Sequence, residues 1–82
     1  MTIKASRGIR VAVIYDPERK PRPIWFDLDG EKATVTEVCY FWTSHVGKAL
    51  INHYSVNTDR GLYELQLNVL EQKWLLKNPE NK

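Results

Sequence analysis

The string Ile24-Trp25-Phe26-Asp27-Leu28-Asp29-Gly30-Glu31 places two carboxylates two residues apart behind a hydrophobic run. In phosphoryl-transfer enzymes that pattern can supply a nucleophilic Asp, an acid Asp and ligands for Mg²⁺. That chemistry also needs a hydroxyl residue after the glycine, where this chain has Glu31, and a large α/β scaffold, which 82 residues do not provide. Asp29-Gly30 has a simpler reading as the tip of a hairpin, because both central positions of a type I′ turn need positive φ. Cys39, His45 and His53 are the soft metal-ligand candidates, but spacings of six and eight with one cysteine do not match a structural zinc site. Ser44 and His45 are neighbours, and neighbours on a strand point to opposite faces, which argues against a nucleophile–base pair. Gly47-Lys48 lacks both the upstream glycine and the following Ser/Thr of a phosphate loop. No cofactor and no catalytic set is expected.

Binding chemistry is better represented. Residues 1–22 carry six basic groups (Lys4, Arg7, Arg10, Arg19, Lys20, Arg22) against Asp16 and Glu18, while the remainder carries six basic and eight acidic groups. Arg19, Lys20 and Arg22, on a loop stiffened by Pro17 and Pro21, could hold a phosphate backbone, with Trp25 as a stacking platform. A solvated charged loop is the simpler account of the same residues. An exposed Trp25 would equally suit a protein contact, since aromatics are enriched at binding hot spots.

These groups must be carried by a small domain. A chain of 82 residues, 43% hydrophobic and 27% charged, makes one globular unit. Its ordered part is expected from about 7 to 77, with residues 1–6 and 78–82 frayed. No apolar run approaches the roughly 20 residues that cross a bilayer as a helix. Met1 to Ser6 lacks the apolar core of a signal peptide. The single cysteine allows no internal disulfide, and a reducing, cytoplasmic setting is expected.

Apolar residues recur at every second position, the period of strands. Ile9, Val11, Val13 and Tyr15 mark one strand. Ile24, Phe26 and Leu28 mark a second, which the Asp29-Gly30 turn would pair as Leu28 with Glu31, Phe26 with Ala33, and Ile24 with Val35. Continuing the third strand without interruption would bury Glu37, an expensive carboxylate. A bulge near Thr36-Glu37 avoids this and points Val38, Tyr40 and Trp42 inward. Leu50, Tyr54 and Val56 form a fourth strand, Tyr63, Leu65 and Leu67 a fifth, and Gln72 to Lys77, with Trp74 and Leu76 on one face, a sixth. The stretch from Leu62 to Leu76 also has partial helical spacing. The fold class is therefore all-β: an antiparallel meander of about six short strands, curled or barrel-like. Trp42 and Trp74 are expected in the core and Trp25 on the outer face.

From about Arg22 to Lys77 the chain resembles a group of small uncharacterised bacterial β-proteins. It is distantly similar to a domain of unknown function encoded beside translesion DNA polymerases. Pro23, Asp29-Gly30, Val35, Val38, Trp42, Tyr54, Val56, Thr58, Gly61, Tyr63-Glu64-Leu65 and Trp74-Leu75-Leu76 carry the likeness, whereas Tyr40 and Phe41 stand where the related pattern shows charge. The resemblance implies a fold and an association with repair complexes, and it assigns no catalytic residues. The function expected is a non-catalytic binding module for nucleic acid through Arg19, Lys20, Arg22 and Trp25. The alternative is a protein-interaction module, monomeric or weakly homodimeric through a strand edge or the Trp25 face.

Overall fold

The computed structural model describes residues 6–18 and 21–77. These residues form seven strands and no helix: β1 (Ser6–Gly8), β2 (Val11–Tyr15), β3 (Pro21–Leu28), β4 (Glu31–Val46), β5 (Ala49–Thr58), β6 (Gly61–Asn68) and β7 (Lys73–Lys77). All pairings are antiparallel, in the order β1-β7-β6-β5-β4-β3-β2. β1 and β2 are halves of one N-terminal segment that changes partner at Ile9-Arg10. There the Ile9 N–H donates to the Trp74 carbonyl at 3.2 Å and the Arg10 carbonyl accepts from the Asp27 N–H at 3.0 Å. Counted as one strand, this segment completes the six-stranded meander and ties β7 at one end of the sheet to β3 at the other. Ser6, expected to fray, pairs with Lys77; residues 1–5 and 78–82 lie outside the described residues.

Local sequence explains the hairpins. Asp29 and Gly30 have φ of 52° and 86°, the pair of positive angles a type I′ turn requires. Leu28 pairs with Glu31 and Phe26 with Ala33, as the turn dictates, but β3 and β4 separate after Trp25 and Thr34, so Ile24 does not face Val35. The reason is a bulge: Ala12 pairs with Trp25 and Val13 with Pro23, leaving Ile24 as an extra residue that turns β3 away. Residues 62–76 form β6, a turn and β7, not a helix.

β4 decides the shape. Sixteen residues of straight strand would run about 53 Å, yet the longest dimension of the molecule is 38 Å. Two bulges bend it, the extra residues being Thr36, between Val35↔Thr58 and Glu37↔Asn57, and Cys39, between Val38↔Val56 and Tyr40↔Ser55. The first is the bulge the position of Glu37 predicts. The second reverses the alternation again and overturns the inward placement of Tyr40 and Trp42. Val35, Val38 and Phe41 take the face of the buried Thr58, Val56 and Tyr54, Phe41 itself keeping 54% exposure, while Tyr40 and Trp42 lie on the opposite face at 70% and 42%.

The core is formed by Phe26, Ala33, Tyr54, Val56, Leu65, Leu67 and Leu76, with Ile9, Val11, Val35, Val38, Tyr63 and Trp74 packed against it. Phe26 meets Tyr63 edge to face at 5.8 Å, and Tyr54 contacts both Trp74 and Phe41 through its ring. The Tyr54 hydroxyl donates to the Pro21 carbonyl at 3.1 Å, so the aromatic row also anchors the start of β3. Thr34 and Asp59 exchange two hydrogen bonds, and Arg60 bridges to Glu31 at 2.6 Å, fixing the β5–β6 turn against the root of β4.

Candidate functional site

The structure disperses the groups singled out from the sequence. Arg19 and Lys20 lie outside the described residues. Arg22 is exposed on β3, across from Ile14. Trp25 is half-buried, with the Lys32 ammonium 5.3 Å from its ring centroid, so a cation already occupies one face of this platform. Asp27 is held by Arg10 at 2.7 Å. Cys39, His45 and His53 do not converge: among the described residues no three His, Cys, Asp or Glu side chains come together as a metal site. A shallow groove opens where β1 passes into β2, lined by Arg10, Asp27, Asp29, Lys73 and Trp74 among others, with charges of both signs.

Three side chains from three neighbouring strands do converge, on the outer face. Ser44 Oγ lies 2.8 Å from His53 Nε2, and His53 Nδ1 lies 3.1 Å from Glu64 Oε2. Strand register builds this relay. Trp42 faces His53 and Ser55 faces Glu64, so Ser44 and Glu64 reach the imidazole along opposite diagonals. Glu64 also accepts from Gln66 Nε2 at 3.3 Å and has Lys77 Nζ at 3.9 Å. The sequence argued against pairing Ser44 with the adjacent His45, and the partner of Ser44 is a histidine nine residues away, across the hairpin. A hydroxyl, an imidazole and a carboxylate in this order are the groups of a nucleophilic triad. Acyl transfer further needs donors aimed at a developing oxyanion in a site that excludes water. Here the Trp42 indole stacks on the imidazole, Ser44 is exposed, and the His53 and Glu64 side chains keep 13% and 24% of their surface in solvent.

The more unusual feature is the outer half of β4. Beyond Thr34 and among the described residues, β4 pairs only with β5, leaving its other edge open from Val35 to Val46. Val46 and Ala49 flank the two-residue Gly47-Lys48 turn, and Val69 N–H donates to the Leu50 carbonyl on the far side of β5. The alternation of an antiparallel ladder then directs the backbone N–H and C=O of Phe41, Thr43 and His45 to the open edge. The nine residues Val38 to Val46 contain no Asp, Glu, Lys, Arg, Pro or Gly. Tyr40, Phe41, Trp42 and Val46 are all exposed along them.

On β5, opposite Phe41, burial pushes the Tyr54 phenol above its ordinary pKa; the Asn52 side chain opposes the shift and the neighbouring Tyr15 adds to it. Tyr54 is thus a neutral core group.

Fold and site together define a small all-β domain, one curled antiparallel meander in which the outer half of β4 carries a row of exposed aromatics on an open edge. No family model matches the chain, and neither the curated proteins nor the solved structures contain a match to it. Among the described residues no helix is long and apolar enough to cross a membrane.

Proposed function

We propose that this protein is a non-catalytic protein-interaction module that receives an extended polypeptide strand on the open edge of β4. The observation that carries this reading is the nine-residue edge, Val38 to Val46, with open backbone donors and acceptors and no blocking residue. Natural edge strands are protected by lysine, proline, inward charges or a covering element. A long, aromatic, uncharged edge without such protection is suited to strand addition, in which backbone hydrogen bonds give affinity and neighbouring side chains give selectivity. Tyr40 and Trp42 on one face and Phe41 on the other would grip the side chains of the added strand.

The test uses affinity capture from the source cell with wild type and Thr43→Pro, each with and without nuclease. Proline removes the Thr43 N–H from the open edge while leaving the β5 side of the ladder intact. Proteins captured by wild type, resistant to nuclease and lost with Thr43→Pro are the expected result. Equal capture by both chains would overturn the reading.

A second reading, nucleic-acid binding, rests on exposed Arg22 lying across from exposed Ile14 and next to the exposed phenol of Tyr15. It requires affinity for a labelled single strand that falls steeply with salt and weakens when Arg19, Lys20 and Arg22 are replaced by Ser. Absence of binding at low salt would eliminate it.

A further inference from the structure

We infer that the strand received on the β4 edge is β4 of a second copy of this chain, paired antiparallel about a two-fold axis close to Trp42. The inference rests on the strand-docking reading and specifies its occupant. Its first support is the distribution of charge along the edge. The uncharged stretch Val38–Val46 is flanked by Glu37 at its start and by Lys48, just past His45 and Val46, at its end. Antiparallel pairing centred anywhere from Phe41 to Thr43 sets Glu37 of one chain opposite a residue between 45 and 49 of the other, beside Lys48. Parallel pairing would set Glu37 against Glu37. The edge is therefore complementary to itself in one direction only, the condition for an isologous two-fold interface.

The second support is geometric. Phe41, Thr43 and His45 present their backbone groups to the edge, and an odd-numbered series pairs with itself in register about an axis at Trp42. In that arrangement Trp42 stands beside its symmetry mate, and Tyr40 beside Ser44 of the second copy, all on the outer face. Trp42 then packs on its mate and Tyr40 on the second copy, and the two curled sheets join into one continuous sheet. An interface of one strand pair plus these rings falls at or below the roughly 1,200 Å² lower bound of stable complexes, which places dimerisation at roughly micromolar concentrations.

The experiment is sedimentation equilibrium at low salt on wild type, Thr43→Pro, Glu37→Lys, Lys48→Glu and the double swap, with circular dichroism melting to show that each chain folds. Wild type should pass from one to two chains per particle over roughly 1–100 µM. Thr43→Pro should weaken association by roughly tenfold or more at unchanged secondary structure. Each single charge reversal should weaken it by roughly two- to fivefold, and the double swap should restore it. In a Cys39→Ser background, Trp42→Cys should form an intermolecular disulfide under mild oxidation and Glu37→Cys should not, because only residues near the axis meet their own mates. A double swap weaker than both single variants, or crosslinking at 37 without crosslinking at 42, overturns the antiparallel pairing. Wild type that stays a single chain to roughly 500 µM, well above the expected range, overturns self-association altogether. If Thr43→Pro still loses nuclease-resistant proteins captured by wild type, only the identity of the occupant falls; if it does not, the strand-docking reading falls too.

Discussion

The indole of Trp42 lies flat on the imidazole of His53, with ring centroids 5.0 Å apart and planes 6° from parallel. The same imidazole is fixed at its edges by Ser44 and Glu64, so its orientation is determined on the face and at both nitrogens. Trp42 therefore completes a surface cluster, and its contribution to folding differs in kind from that of a core aromatic.

Phe26→Ala should destabilise the domain by about 3–5 kcal/mol, because it empties a fully buried site that meets Tyr63. Trp74→Ala removes a half-buried ring packed against the core and should cost about 2–4 kcal/mol. Trp42→Ala exposes little new apolar surface and should cost about 1 kcal/mol. Urea unfolding of the three variants checks the order, and a loss at Trp42 matching that at Phe26 would contradict the outward placement of β4 beyond Cys39.

If the chain is non-catalytic, a fluorophosphonate probe should label Ser44 no more than Ser55, which lies on the same face of the sheet. Mass spectrometry of the treated protein distinguishes the two serines. Selective labelling of Ser44, lost in His53→Ala, would show that the relay activates its hydroxyl and would overturn the non-catalytic reading.

Tyr54 gives stability a pH dependence of definite sign. Its folded pKa is raised by burial above the ordinary 10.0, so between the two values the native state binds more protons than the unfolded chain. The contribution is complete below pH 10 and is lost as pH rises through the folded value. Unfolding free energy measured from pH 8 upward should fall more steeply for wild type than for Tyr54→Phe above pH 10. Parallel curves would show that Tyr54 titrates normally.

Gly61 has φ of 116°, and an added Cβ would stand 3.9 Å from Tyr63, so space is sufficient and backbone conformation is the obstacle. Gly61→Ala should cost about 1–3 kcal/mol. Gly30, at φ 86° in the type I′ turn, should respond less strongly to Asn, a residue that tolerates positive φ. Thermal melts of Gly61→Ala and Gly30→Asn check the ranking.

The alternation of Phe26 and Leu28, the Asp29-Gly30 turn, and Tyr63, Leu65 and Leu67 determined most of the strands by themselves, because local backbone preference and one-sided burial act over a few residues. The cost of burying Glu37 even located the first bulge of β4. The second bulge, at Cys39, has no such marker: Val38-Cys39-Tyr40-Phe41-Trp42 is apolar throughout, so neither face announces itself. Only pairing with β5, whose alternation is pinned by Tyr54 and Val56 in the core, decided that Phe41 shares the Tyr54 face and Trp42 the opposite one. The Ser44–His53–Glu64 relay was hidden for a related reason, since its members are neighbours only through two strand registers that bulges and turns set together. The open edge of β4 arises where β3 departs at Ile24, a consequence of the bulge against β2. A strand's own sequence specifies which residues prefer its faces, but whether its edge is covered depends on where its neighbours end, which is a property of the assembled sheet.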